Sequence, residues 1–153
     1  MVEPVSIGIG LLIAGFAKFG DKLVDLSIKL RNEIRAKRVR RNNIASQYFD
    51  DLANALSKVV AGLRANQIPR IDGNWLQGLL RTFDEKTRGV TSLDSPESLR
   101  RSLEGALDIA KELDGWLLLN IPSTPQDREQ MLAVVERIAG ACAALASVLK
   151  DEA

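Results

Sequence analysis

Histidine is absent from this chain of 153 residues, and cysteine occurs once, at Cys142. The first absence removes imidazole acid–base catalysis, and the two together remove disulfides and zinc sites of the usual Cys/His kind. A lone thiol fits a reducing compartment, so a cytoplasmic location is expected. There are five prolines, and all fall at helix starts or connections. No stretch alternates apolar and polar residues for long enough to make a half-buried strand. Net charge is also nearly lacking, at +1, which argues against general nucleic-acid binding.

The signatures of enzymes are missing as well. No Gly-x-x-x-x-Gly-Lys-Ser/Thr loop occurs, and Gly8-x-Gly10 does not follow a strand as a dinucleotide fingerprint must. Asp50-Asp51 and Asp84-Glu85 are adjacent pairs, which leave a helix in different directions. Cys142 lies on an apolar helical stripe, where a thiol is structural rather than reactive. The expectation is a protein without enzymatic activity, cofactor or metal.

What remains is helix. From Pro4, which suits a first helical turn, Val5, Ile9, Leu12, Phe16, Phe19, Leu23, Leu26, Leu30 and Ile34 follow at steps of three or four. That spacing keeps one apolar face along a long first helix, with Gly20 as its expected kink. A second helix starts near Asn42 to Ser46 and ends by Asn66, before the turn chemistry around Pro69 and Gly73. A short third helix points Trp75, Leu76, Leu79, Leu80 and Phe83 inward, and 87–95 reads as loop. Ser95-Pro96-Glu97 and Thr124-Pro125-Gln126-Asp127 are helix starts. The fourth helix carries Leu99, Leu103, Leu107, Ala110, Leu113 and Leu117, and the fifth runs to the C-terminus through Met131, Ile138, Cys142 and Leu149. The expected fold is one all-α domain over 1–153, an antiparallel bundle of four long helices plus one short helix.

The first helix is unusual in its head. Residues 4–20 carry almost no polar side chain before Lys18, and Gly8, Gly10, Gly15 and Gly20 punctuate them. The run has the length of a signal-peptide core, but Glu3 stands where a basic segment belongs. It is shorter than the roughly 20 apolar residues of a membrane span. At 100° per residue, Ile7, Leu11 and Ala14 lie opposite the apolar stripe, on the face that continues as Lys18, Asp21, Asp25 and Lys29. The helix is therefore two-faced after Lys18 and apolar nearly all round before it. Leaving Ile7 and Leu11 in water forgoes about 1.5–3 kcal/mol each. The head is covered either by the protein's own core or by a partner or membrane.

The other end of this segment is basic. Residues 1–41 hold nine Lys/Arg against four Asp/Glu, and the rest hold twelve against sixteen. Arg35, Lys37, Arg38, Arg40 and Arg41 read as a solvated helix end favoured by the helix dipole, or as a contact for anionic lipid at about 1 kcal/mol per side chain. No aromatic residue is interleaved to stack on bases.

Met1-Val-Glu-Pro-Val-Ser-Ile-Gly-Ile-Gly-Leu-Leu-Ile-Ala-Gly-Phe16 resembles the opening of HeLo-like and bacterial Bell-type cell-death domains, a group that includes fungal incompatibility effectors and the four-helix domain of mixed-lineage-kinase-like proteins. The match covers about the first 20 residues. The resemblance implies a helical bundle whose first helix is released on oligomerisation and permeabilises a membrane. Carried over, the membrane-active or partner-binding positions are Val5, Ile7, Ile9, Leu11, Leu12, Ile13, Phe16 and Phe19. The implied partners are further copies of the chain, an anionic surface at the inner face of the cell membrane, and an upstream receptor or adaptor protein. The chain departs from that group's receptor-linked members in having no nucleotide-binding module and no amyloid signalling motif. The rival expectation is a soluble, dimeric interaction module with its head buried in a core or interface.

Overall fold

The apolar periodicities become helices, and the buried stripes meet in one hydrophobic cluster. The computed structural model describes residues 4–36, 43–65, 67, 70–87, 97–114 and 124–150, with the described side chains of the first helix beginning at Ile13. Among the described residues the elements are all helical: α1 Pro4–Arg35, α2 Asn43–Arg64, α3 Arg70–Arg81, α4 Phe83–Thr87, α5 Glu97–Asp114 and α6 Pro125–Leu149.

Helix α1 runs for 32 residues, about 48 Å at 1.5 Å per residue. It does not break at Gly20. A Cβ on Gly20 would lie 3.1 Å from Ile138 Cγ1 on α6, so the two helices approach closely there. Phe16, Phe19, Leu23, Leu26 and Leu30 are buried along this side, as the spacing predicts. Ile34 is half-buried at the edge of the core. The helix packs chiefly on α5 and α6.

Helix α2 buries Phe49, Leu52, Leu56, Val59, Val60 and Leu63. Near its start, the Ser46 hydroxyl donates a buried hydrogen bond of 2.7 Å to the Ala146 carbonyl, close to the end of α6. At its other end Arg64 pairs with Glu136, in the middle of α6. These two ties make α2 and α6 antiparallel.

The third helix differs from its sequence reading in three ways. It begins at Arg70, before Gly73 and Asn74, with Asp72 in its first turn where an acid is favoured. It also ends before Phe83. The Thr82 N–H bonds back three residues to the Leu79 carbonyl at 3.1 Å, a tightened turn, and Lys86 N–H then bonds to the Thr82 carbonyl at 3.0 Å. Phe83 therefore belongs to a separate helix, α4. Finally, Trp75 does not point inward. The face that packs is Leu76 and Leu80, and Trp75 lies about 100° from Leu76 around the helix, with Lys58 Nζ 5.1 Å from its ring centroid.

Helix α5 brings Ala106 and Ala110 to the core, with Leu107 packed at its edge; Leu99, Leu103, Leu113, Leu117 and the start signal at Ser95 lie outside the described side chains. Helix α6 starts where its sequence says. The Thr124 hydroxyl accepts the Asp127 N–H at 3.3 Å and Pro125 occupies the first turn.

Phe83 is the aromatic centre of the core. Its ring meets Phe19, Tyr48 and Phe49 edge-on, with centroids 6.0–6.1 Å apart. Edge-to-face pairs of this kind contribute about 0.5–1.5 kcal/mol beyond area burial. The Tyr48 hydroxyl reaches past the cluster and donates to the Leu79 carbonyl at 2.6 Å. One residue from the short helix α4 thus joins α1 to α2.

Candidate functional site

The predicted head residues divide at Ile13. Val5, Ile7, Ile9, Leu11 and Leu12 fall on helical backbone of α1, but their side chains lie outside the described residues. Ile13 is half-buried against the core. Phe16 and Phe19 are core residues, 2% and 1% exposed. These last two touch lipid only if α1 leaves α5 and α6, and each fully buried side chain exposed in that step costs about 1.5–3 kcal/mol. Their place in this fold is the hydrophobic core.

The face opposite the stripe is solvent-facing over its described length. Ala14, Lys18 and Asp21 are exposed, and Asp25 and Lys29 are half-buried. Asp25 and Lys29 pair at 3.0 Å, and Asp21 meets Arg137 of α6 at 3.0 Å. Exposed pairs like the second contribute about 0–1 kcal/mol. Ile7 and Leu11 stand on the same helical face, so along an ideal helix that face passes from Ile7 and Leu11 through Ala14 to solvated charges. Ile28, 57% exposed, lies next to it and is not singled out by the periodicity, because its neighbours at i−3 and i+1 are charged.

Of the basic residues, Arg35 is exposed in the last turn of α1. The Ala36 N–H to Asn32 carbonyl bond, 3.0 Å, closes that turn. Lys37, Arg38, Arg40 and Arg41 lie outside the described residues.

The chemistry available inside the protein is muted. Cys142 is fully buried, and burial pushes its thiol well above the usual cysteine range. Burial, with the nearby Cys142 adding to it, also pushes the Tyr48 phenol up. Both groups stay protonated and neutral, so neither is a nucleophile. Among the described residues no group of three or more His, Cys, Asp or Glu comes together.

Two surfaces were not legible in the apolar stripes. Ile71 and Trp75 stand on one face of α3, 86% and 38% exposed. A groove between α2 and α6 is lined by small residues, among them Ala61, Gly140 and Ala143, together with Asp50, Asn54 and the Arg64–Glu136 pair. The readable signal for the groove was a lack of charge: Ile138 to Leu149 contains no Asp, Glu, Lys or Arg. Among the described residues α6 is also the one helix long and apolar enough to cross a membrane. Its inner stripe of Met131, Leu132, Val135, Ile138, Cys142, Leu145 and Leu149 is buried in this fold, as expected of a core helix. Comparison with models of protein families, with curated proteins and with solved structures found no match to this chain.

Proposed function

We propose that this protein is a membrane-targeting cell-death or defence effector that acts by oligomerising and inserting the head of α1. Its architecture on this reading is an antiparallel bundle with α1, α2, α5 and α6 as the four long helices. The observation that carries the reading is the apolar-all-round composition of residues 4–17 on a helix whose next turns are two-faced. Phe16 and Phe19 hold that helix in the core at rest, and on this reading residues 5–12 are the part that leads into lipid. Arg35, Lys37, Arg38, Arg40 and Arg41 supply the electrostatic contact with anionic lipid at the cytoplasmic face of the membrane. Insertion requires several copies because one short apolar segment cannot line a pore, and an upstream receptor or adaptor supplies the trigger. No enzymatic step, cofactor or nucleic acid enters.

The test is dye release from anionic liposomes, with Ile7→Glu and Leu11→Glu as variants. Leakage by the wild type and its loss in both variants supports the reading. Absence of leakage under every oligomerising condition, with the head resistant to protease, contradicts it. A second reading, a soluble interaction module, is favoured by the burial of Phe16 and Phe19. It predicts a monodisperse oligomer indifferent to lipid.

A further inference from the structure

The two halves of α1 are built differently. All four of its glycines, Gly8, Gly10, Gly15 and Gly20, lie within residues 4–20, and residues 21–35 contain none. Glycine is the poorest helix former apart from proline. Isolated helices of about 15 residues are marginal in water even when alanine-rich. The front half of α1 is therefore helical only while it is packed. The rear half carries the Asp25–Lys29 pair at i, i+4, a spacing that supports a helix from within.

Burial divides at the same place. Among the described residues of α1, the buried apolar side chains are Phe16 and Phe19 before Gly20, and Leu23, Leu26 and Leu30 after it. Lifting the front half uncovers the first two, and lifting the whole helix uncovers all five. The loss grows with the apolar area uncovered, so the shorter opening is favoured. The boundary itself is held by three consecutive residues. Gly20 lies against Ile138 of α6. Asp21 pairs with Arg137 of α6 at 3.0 Å. The Lys22 stem crosses Gly105 of α5, where a Cβ would stand 3.3 Å from Lys22 Cε. Successive residues leave a helix about 100° apart, so α1 is held from three directions at this level. The exposed ion pair is weak alone; it acts together with two close approaches.

We infer that α1 is a strap hinged at Gly20. Residues 4–19 lift from α5 and α6 by local unfolding while Leu23 to Leu30 stay docked, and the contacts of Gly20, Asp21 and Lys22 set where the opening stops. Opening of part of a structure below the cost of global unfolding is a general property of folded proteins; here it is confined to one half of one helix. The use of this opening as the release step for the head rests on the membrane reading, whereas the hinge is a property of the protein in solution.

The experiment is native-state hydrogen exchange of the full chain in low urea, without lipid. Amides of residues 13–19, well inside the helix, are expected to exchange about tenfold or more faster than those of residues 26–31 and with little dependence on urea. Residues 26–31 are expected to exchange together with the core of α6. Asp21→Arg sets a cation against Arg137. It is expected to make residues 26–31 exchange about threefold faster than the core of α6, and adding Arg137→Asp to restore equal rates. A single rate for residues 13–19 and 26–31 overturns the inference, as does faster exchange at 26–31. So does an Asp21→Arg variant in which residues 26–31 still keep pace with α6. Dye release measured on the same variants reports separately on the membrane reading.

Discussion

Gly20 of α1 lies against Ile138 of α6 so closely that a methyl group on it would stand 3.1 Å from the isoleucine Cγ1. Ile138 is fully buried, which leaves it little room to move aside. A glycine in mid-helix costs about 1 kcal/mol relative to alanine, and here the two helices use the space it leaves. Gly20→Leu forces side chains into a filled core and is expected to destabilise by about 1–3 kcal/mol, measured by urea unfolding. Gly78→Ala is the counterpart. No atom lies within 4 Å of its added methyl, so the variant is expected to gain about 1 kcal/mol.

Adjacent residues in α3 should respond differently to truncation. Leu76→Ala empties a core position that is 1% exposed and is expected to cost about 2–5 kcal/mol. Trp75→Ala removes an outward ring and its contact with Lys58, with an expected cost of about 1 kcal/mol. Equal losses in thermal or chemical denaturation would contradict the assignment of faces.

Stability should fall on the alkaline side. Tyr48 and Cys142 are held protonated in the fold, while in the unfolded chain they lose their protons near the ordinary tyrosine and cysteine values. The unfolded state then binds fewer protons than the native state, so unfolding becomes easier as pH rises. The stabilisation is fully present below about pH 8 and declines by about 1.4 kcal/mol per pH unit per group once the unfolded forms ionise. Cys142→Ala should flatten that slope in denaturation curves across this range, besides lowering overall stability. An unchanged slope would show that the thiol does not contribute.

Loosening the anchor should lower the threshold for membrane activity if the proposed function holds. Phe19 packs edge-on against Phe83 at 6.1 Å. Phe19→Ala is expected to cost about 3–5 kcal/mol of stability and to release dye from anionic liposomes at lower protein concentration than wild type. A variant that is destabilised yet releases no more dye would separate α1 undocking from permeabilisation.

The helices and most of the core were legible because their signals are local. Thr124, Pro125 and Asp127 announce the start of α6 through side-chain-to-backbone bonding within one turn. The stripe from Phe16 to Leu30 follows from period alone. The misplaced features depend on what another helix does. The close approach of Gly20 to Ile138 is invisible until the two helices are brought together. Trp75 reads as core because it is large and apolar, but the register of α3 gives the inward face to Leu76 and Leu80. The break at Thr82 comes with one tightened turn, in which both its N–H and its hydroxyl donate to the Leu79 carbonyl at 3.1 Å, and hydrophobic period does not register it. At the candidate site, periodicity located the two-faced part of the helix after Lys18, but the docked state of Phe16 and Phe19 needed the packing of α5 and α6.

The most direct measurement is hydrogen exchange over residues 5–17 with and without anionic liposomes. The membrane reading predicts that amides of residues 5–12 gain protection on liposomes, while those around Phe16 are already protected in solution and pass through an exchanging state during insertion. Identical exchange across 5–17 in the presence and absence of lipid, under conditions where the protein oligomerises, would contradict it.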